Sequence, residues 1–203
     1  MRKGRLYTVS GPSGVGKGTI CKALAELPNV RLSISCTTRC PREGERDGCE
    51  YYFVTEEAFV QMIEADAFLE YAGVFGKRYG TPSRAVDDLL NHGLDVILEI
   101  DVQGGMHVME KRPETIGIFI LPPDYVTLKS RLFGRSTETN EQLELRLGTA
   151  EREIECAWNY DYVLVNDRID DAIDSVKAII IAERLKTEAN RDLVDDIIKT
   201  FRR

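Results

Sequence analysis

The sequence lacks any apolar run that approaches the roughly 20 residues needed to span a bilayer. Its start, Met1-Arg2-Lys3-Gly4, leads into a short strand-like run rather than into the apolar core of a signal peptide. We therefore expect a cytoplasmic protein that does not bind membranes. Internal repeats and low-complexity segments are also missing, and 203 residues suit one α/β domain with small insertions.

Cys-x-x-Cys pairs are absent as well, although the chain contains five cysteines. An odd number of cysteines without regular spacing is typical of free thiols in the reducing cytosol. Cys36, Cys40 and Cys49 do not have the spacing of zinc ligands, and the two histidines of the chain lie far from them in sequence. Cys36 and Cys40 flank Arg39, whose charge could lower a thiol pKa, so we expect reactive thiols there.

Positive charge is in short supply, with 27 lysines and arginines against 34 aspartates and glutamates. The net charge of −7 argues against nucleic-acid binding, which usually requires a basic face. An anionic small substrate would then need local basic patches. The arginines at 39 and 42 form one such patch, and those at 131, 135 and 146 form another.

Apolar runs alternate with helical patterns along most of the chain. "DVILEID" (95–101) and "IGIFIL" (116–121) are continuous apolar runs, typical of strands buried on both faces of a parallel sheet. Further core strands are predicted at 6–10, 31–35 and 162–165, and helices at 17–27, 56–66, 83–93, 124–134, 141–157 and 170–200. This order predicts a doubly wound α/β core. Residues 36–90 carry shorter, more polar elements and are interpreted as an insertion.

A phosphate-binding loop is predicted between the first strand and the first helix. Residues 11–17, "GPSGVGK", fit the pattern G-x-x-x-x-G-K in the strand–helix context that the motif requires. Glycines let successive N–H groups converge on a phosphate, and Lys17 supplies charge at the β and γ oxygens of a nucleoside triphosphate. The ATP-binding residues predicted here are Gly11, Pro12, Ser13, Gly14, Val15, Gly16, Lys17, Gly18 and Thr19.

The segment "SCTTRCPREGERDGCEYYF" (35–53) suggests the site of the phosphoryl acceptor. Arg39 and Arg42 stand three residues apart beside several hydroxyl groups, a set that suits a dianionic phosphate. Two further segments follow: "FLEYAGVFGKRYGT" (68–81) places Glu70 in an apolar strand, and "LEIDVQG" (98–104) ends a buried strand.

These motifs resemble the guanylate kinase family, from about Gly4 to Leu185. The resemblance rests on S-x-T-T-R-x-P-R-x-G-E, G-x-x-Y-x-F, F-x-E-x-A, Y-G-T, D-x-Q-G, L-P-P and V-N-D, in that order. It implies phosphorylation of GMP, and of dGMP, to the diphosphate in purine nucleotide metabolism, by direct in-line transfer from Mg-ATP. It also implies a P-loop kinase core with a parallel sheet flanked by helices (about 1–35, 91–125 and 158–203), a GMP-binding insertion (36–90) and a helical lid (126–157).

The resemblance also assigns roles to individual residues. Those that contact guanine are Ser35, Glu70, Thr81 and Asp101, and those that hold the GMP phosphate are Arg39, Arg42, Tyr51 and Tyr79. The catalytic group consists of Lys17, Arg39 and the lid arginines Arg131, Arg135 and Arg146. Asn166 and Asp167 fall near the adenine of ATP.

Three positions depart from the family pattern. Gly18 replaces a hydroxyl residue that helps to hold Mg²⁺, Glu99 stands where Asp is common, and Arg135-Ser136 replaces Arg-Gly in the lid. We therefore predict no direct metal ligand, and Glu99 and Asp101 are expected to act through water.

No general base is required, because the second pKa of a phosphate monoester is about 6 and the GMP phosphate is already ionised at pH 7.

Two rival functions remain open: a catalytically inactive guanylate-kinase-like module that binds phosphopeptides, and a kinase for another phosphorylated acceptor such as a ribose phosphate. The complete loop argues against the first, and the joint presence of Ser35, Glu70 and Thr81 argues against the second. The lid arginines could instead form surface pairs with Glu138, Glu141 or Glu144. The oligomeric state stays open.

Overall fold

The structure is a computed structural model that describes residues 3–74, 76–133 and 140–202, without the side chains of residues 74 and 140–146. Its strands are β1 (Leu6–Ser10), β2 (Val30–Leu32), β3 (Cys36–Thr37), β4 (Tyr52–Phe53), β5 (Phe68–Val74), β6 (Lys77–Pro82), β7 (Asp95–Glu99), β8 (Ile116–Leu121) and β9 (Tyr162–Val165). Its α-helices are α1 (Lys17–Leu24), α2 (Glu56–Glu64), α3 (Ser83–Asn91), α4 (Val102–Lys111), α5 (Tyr125–Phe133), α6 (Asn140–Glu155), α7 (Ile169–Leu185) and α8 (Arg191–Phe201). Short 3-10 helices cover Cys156–Asn159 and Thr187–Asn190.

A parallel five-stranded sheet with the order β2-β7-β1-β8-β9 forms the core. Each residue of the central strand β1 is buried, because helices cover both faces of the sheet. On one face, apolar residues of α1 and α7 pack against Tyr7 and Val9, and on the other face α3 and α4 pack against Leu6. The predicted doubly wound α/β core is confirmed.

A second sheet of four strands, β4-β3-β6-β5, occupies the segment interpreted as an insertion. Its strands β5 and β6 pair antiparallel and place Glu70 opposite Thr81. Phe59 of α2 stacks on Phe68, with ring centroids 4.5 Å apart, and closes one face of this sheet. Strand β6 was not predicted, because its residues are mostly polar and pairing with β3 and β5 specifies it instead.

Helix α4 was not predicted from the sequence, and the strand before it was predicted to extend to residue 101, whereas β7 ends at Glu99. Gly104 and Gly105 weaken the helix pattern by about 1 kcal/mol each. The helix forms because Asp101 caps it, with its Oδ1 accepting a hydrogen bond from the Gly104 N–H at 2.8 Å. Gly105 packs so closely that a Cβ there would lie 2.5 Å from Ser10 Oγ. Tight packing, rather than helix propensity, therefore explains the glycine.

The single C-terminal helix predicted over 170–200 is two helices, α7 and α8. Lys186 has an extended backbone at φ −55° and ψ 139°, which ends α7. The side-chain amide of Asn190 donates to the carbonyls of Arg184 and Lys186 at 2.8 and 2.9 Å, and so satisfies the end of α7. Among the described helices, none combines the length and the hydrophobicity that a bilayer crossing requires.

A buried ion cluster ties α7 to the amino end of the main sheet. The Glu183 carboxylate, whose side chain is 1% exposed, accepts hydrogen bonds from Arg5 Nη1 at 2.7 Å and Tyr162 Oη at 2.6 Å. Lys186 Nζ lies 2.6 Å from the same carboxylate. Burial by itself raises the pKa of Glu183, but the hydrogen bonds from Lys186 and Tyr162 outweigh it, and the pKa is lowered.

We expect Glu183→Ala to lower the free energy of unfolding by about 3 kcal/mol, because it leaves the Arg5 guanidinium without its buried partner. Urea denaturation at neutral pH measures this, with the exposed Glu188→Ala as the control. Because the pKa of Glu183 is lowered on folding, its contribution is present above the ordinary carboxyl pKa and is lost as the pH falls through the lowered one. A difference between the wild type and the variant that persists in strong acid would contradict this assignment.

Candidate active site

The loop between β1 and α1 has the backbone conformation of a phosphate cradle. Gly11, Gly14 and Gly16 have φ angles of 148°, 83° and 99°. Residues with a Cβ atom rarely adopt positive φ angles, whereas glycine does so readily. Gly16 is the N-cap of α1, so the loop leads into the positive end of a helix dipole. This conformation is the one that the sequence motif predicts.

Lys17 is held inside this loop by backbone carbonyls. Its Nζ donates to the carbonyls of Gly11 and Pro12 at 2.6 and 3.2 Å. Burial lowers the pKa of Lys17, and the carboxylates of Glu153 and Glu99 act in the opposite direction. The ammonium group is therefore a desolvated charge, whose field on a bound phosphate is stronger than that of a surface lysine.

Two of the predicted residues brace the loop from behind. The buried Asn166 donates from Nδ2 to the Val15 carbonyl at 2.7 Å, and a Cβ on Gly16 would lie 2.5 Å from that nitrogen. Arg131 of α5 donates to the carbonyls of Asn166 and Asp167 at 2.9 and 3.3 Å. Asn166 thus fixes the loop backbone directly, and Arg131 fixes the segment that carries Asn166, through contacts that the sequence pattern does not reveal.

The side chains of the other two lid arginines lie outside the part of the chain that the structure describes. Arg135 falls outside the described residues, and Arg146 belongs to α6 but its side chain is outside the described part of the chain. Their assignments stay predictions.

The four residues predicted for the acceptor phosphate come together around a carboxylate. Arg39 makes a two-pronged ion pair with Glu45, both N–O distances being 2.9 Å, and the Arg42 backbone N–H donates to Glu45 at 2.8 Å. The Arg39 guanidinium lies 5.4 Å from the centre of the Tyr51 ring, which meets the Tyr79 ring edge-on at 5.8 Å. The pKa of Glu45 is lowered, mainly because its carboxylate accepts hydrogen bonds from Arg39.

Sequence reasoning quoted Glu45 within a motif but gave it no role. The R-x-G-E spacing was a signal for the contact with the Arg42 backbone N–H, three residues before Glu45, but not for the ion pair with Arg39, six residues before it. Glu45 mimics a phosphate by occupying both prongs of the Arg39 guanidinium.

A buried carboxylate pocket lies between the second sheet and the start of α4. Glu70, which is 8% exposed, accepts a hydrogen bond from Thr81 Oγ1 at 2.6 Å. A Cβ on Gly104 would lie 3.2 Å from Glu70 Oε2 and 3.4 Å from Asp101 Oδ1, so the two carboxylates converge there. Burial raises the pKa of Glu70, the Thr81 hydrogen bond lowers it, and Asp101 raises it further. Half-buried Ser35 lies just before β3, and its carbonyl accepts from the Tyr52 N–H at 2.9 Å.

Glu153 of α6 is a second carboxylate that sequence reasoning missed. It lies near the loop, because the backbone N–H of Ser13, one of the donors expected to bind phosphate, helps to lower the pKa of its carboxyl group. Burial raises the pKa of Glu153, and the nearby Lys17 lowers it. Because Glu153 and the loop are far apart in sequence, only the fold reveals the contact.

Gly18 and Glu99 are adjacent in space. A Cβ on Gly18 would lie 3.2 Å from Glu99 Oε1, closer than nearly all real contacts of this kind. The absence of a side chain at position 18 therefore makes room for the longer carboxylate at position 99.

The cysteines are free thiols, as expected, but Cys36 is not activated. It is buried, and burial raises its pKa to about 11, so the expectation of a reactive thiol at Cys36 is wrong. The neighbouring Arg39 is engaged by Glu45 instead.

Comparison with known proteins agrees with this geometry. The family model described as guanylate kinase matches residues 3–183. The chain is 50% identical to the guanylate kinase of Caldanaerobacter subterraneus subsp. tengcongensis, over 95% of this chain and 94% of that one. It is 47% identical to that of Clostridium tetani, over 96% and 93%. The crystal structure of guanylate kinase from Anaplasma phagocytophilum is similar with a TM-score of 0.73 at 35% identity, over 92% of this chain and 89% of that one.

We expect Glu153→Gln to tighten the binding of inorganic tripolyphosphate about fivefold, because it removes a negative charge beside the loop donors. Calorimetric titration without an acceptor measures the affinity. Glu151→Gln, an exposed change on the same helix, is the matched control and should leave it unchanged. Weaker binding to Glu153→Gln would mean that the carboxylate supports the loop rather than competing with its ligand.

Proposed function

The chain belongs to the guanylate kinase family, and we propose that it transfers the γ-phosphoryl group of ATP to GMP, and also to dGMP, in the cytoplasm. The products, GDP and ADP, place it in purine nucleotide metabolism. The observation that carries the proposal is the buried pair of Glu70 and Thr81 facing Asp101, on the same molecule as a complete phosphate loop. A phosphopeptide module or a ribose-phosphate kinase has no use for this pocket.

The chain divides by role in this proposal. The core, about 1–35, 91–125 and 158–203, binds ATP through residues 11–19, with Asn166 and Asp167 toward the adenine. The insertion, about 36–90, binds GMP, and the lid, about 126–157, closes over both substrates. Closure excludes water and so favours transfer over hydrolysis of ATP.

Guanine is distinguished from adenine by hydrogen-bond polarity. Guanine presents N–H donors at N1 and N2, whereas adenine presents an acceptor at N1. Glu70 is positioned to accept from both guanine donors, while the hydroxyl of Thr81 or Ser35 donates to O6. Because the pocket is buried, a base of the wrong polarity leaves charged groups unpaired, which is a large penalty.

The acceptor phosphate takes over the contacts now made by Glu45. Arg39 and Arg42 bind its oxygens, and Tyr51 and Tyr79 contribute hydroxyl groups. Glu45 holds the Arg39 guanidinium in a fixed orientation before GMP arrives, which lowers the ordering cost of binding.

The transfer step requires alignment and charge neutralisation rather than proton abstraction. Lys17 contacts the donor phosphates, Arg39 the acceptor, and Arg131, Arg135 and Arg146 the transferring group. Arg131 is anchored on the carbonyls of Asn166 and Asp167, and the first of these residues contacts the loop.

Mg²⁺ accompanies ATP in this proposal, where it neutralises charge between the β and γ phosphates. The donor chemistry fits: carboxylates of Glu99 and Asp101 lie near Lys17, and hard oxygen ligands suit this ion. With Gly18 in place of a hydroxyl residue, the Glu99 and Asp101 carboxylates would hold the ion through water.

An assay coupled to ADP formation, with GMP, dGMP, AMP and UMP as acceptors, tests the function. We expect turnover with GMP and dGMP and little with AMP or UMP. Phosphopeptide binding without turnover, or a preference for a non-guanine acceptor, would overturn it.

Glu70→Gln should reduce kcat/KM for GMP, with a loss of transition-state stabilisation of about 2–4 kcal/mol. One carboxylate oxygen, an acceptor, is replaced by an amide N–H donor that faces a guanine N–H. The exposed Glu64→Gln in the same segment is the control. Inhibition by inorganic phosphate should match the parent, since the arginines are untouched. An unchanged ratio of GMP to AMP activity would show that Glu70 does not read the base.

The space shared by Gly18 and Glu99 gives a double-mutant prediction. Gly18→Ser introduces atoms against Glu99, and Glu99→Asp withdraws the carboxylate, so each change alone should lower kcat/KM and raise the Mg²⁺ concentration needed for half-maximal binding of ATP. The double variant should recover at least about 1 kcal/mol, since Asp leaves room for Ser. Strictly additive effects would show that the two positions are independent.

A further inference from the structure

Three consecutive residues of β5 pack into three different parts of the protein. Phe68 lies against Phe59 in the core of the second sheet, and Leu69 belongs to the apolar cluster that α3 and α4 form with the main sheet. Glu70 lies in the carboxylate pocket at the start of α4. Side chains alternate between two faces in a regular strand, so three separate destinations require a local irregularity.

A β-bulge provides this irregularity. Phe68 is opposite Pro82 and Glu70 is opposite Thr81, so β5 advances by two residues where β6 advances by one. Bulges redirect side chains and are frequent next to active sites. The carboxylate that immediately follows this bulge is the one that accepts the hydrogen bond from Thr81, so the direction of Glu70 depends on the bulge.

Lys111, in the last turn of α4, contacts the bulge from outside the second sheet. Its Nζ donates to the Phe68 carbonyl at 2.9 Å and to Asp66 Oδ1 at 2.6 Å. Strand β5 is at the edge of its sheet, where backbone groups depend on partners from outside the sheet. Asp66 has a positive φ of 49° just before β5, so Lys111 holds both the turn into the strand and its first carbonyl.

We propose that Lys111 is a positioning residue for recognition of the base, a role that rests on the function proposed above. Lys111 fixes the bulge, and the bulge directs Glu70 toward guanine. Helix α4 then sets both carboxylates of the pocket, Asp101 as its N-cap and Glu70 through Lys111 in its last turn. The helix has 10 residues and is about 15 Å long, so it is a stiff connection between the two ends.

The carbonyl of Phe68, rather than the carboxylate of Asp66, is the contact that matters for this role. The Asp66 side chain is 84% exposed, and exposed ion pairs contribute little to stability. The carbonyl lies two residues before Glu70 on the same strand. Asp66→Asn keeps this carbonyl contact, and asparagine tolerates a positive φ, so this variant should recognise the base as the wild type does.

Discrimination between GMP and inosine monophosphate measures the position of Glu70. Inosine monophosphate has the N1 donor of guanine but lacks the N2 amino group, so a displaced Glu70 loses more with GMP. Lys111→Met should lower the ratio of kcat/KM for GMP to that for inosine monophosphate at least about fivefold, mainly through the KM for GMP. The KM for ATP should not change, since the phosphate loop is untouched.

Two variants control for the loss of a lysine. Lys111→Arg can still donate to both the carbonyl and the carboxylate, and should restore most of the ratio. Lys177→Met, which removes a lysine paired with Asp174 on α7, is the matched surface change and should leave the ratio unchanged. An equal loss of kcat/KM for both acceptors in Lys111→Met, or an unchanged ratio, would overturn the positioning role.

Hydrogen exchange of the free protein separates this role from the proposed function. The Ala67 N–H donates to the Met62 carbonyl at 2.9 Å, and the Ser83 N–H donates to the Ala67 carbonyl at 2.8 Å. Both amides report on the entry into β5 and should exchange faster in Lys111→Met than in Lys111→Arg. Unchanged exchange would show that Lys111 does not hold the bulge. A wild type that does not phosphorylate GMP would overturn the proposed function, and base recognition with it, even if exchange changes as expected.

Discussion

The site depends on one constraint, the parallel pairing of β1 with its neighbours β7 and β8. Parallel strands deliver their carboxyl ends to the same edge of a sheet, so the segments that follow them meet there. The phosphate loop follows β1, Glu99 ends β7, Asp101 follows it as the N-cap of α4, and Asn166 follows β9. Residues far apart in the chain therefore surround Lys17 without any local sequence signal for their proximity.

Two charged groups that a substrate is proposed to contact have partners within the described part of the protein. Arg39 is paired with Glu45, and Lys17 donates to loop carbonyls. These contacts offset the cost of holding the two charges partly buried. On the function proposed above, substrate binding would exchange these partners for phosphate oxygens, and its net free energy would be a difference between similar contacts rather than the sum of new ones.

The parts of the site that are contiguous in sequence could be predicted from it. The loop motif specified its own conformation, and the strand pattern predicted the core, because both depend on local spacing. Glu153 and the contact between Gly18 and Glu99 could not be predicted, since long-range packing creates them. The break between α7 and α8 was missed for a similar reason. The helical pattern of the sequence continues through residues 186–190, whereas the contacts of the Asn190 side chain with the last carbonyls of α7 form only in the folded chain.

Asp101 serves two structures at once. Its carboxylate caps α4 through the Gly104 N–H, and the same group faces Glu70 in the pocket proposed to bind the base. Loss of a helix cap typically destabilises a protein by about 1 kcal/mol. A lineage that altered this residue to change the proposed base preference would therefore also lose the cap of α4. A stabilising substitution elsewhere would make such a change easier to tolerate.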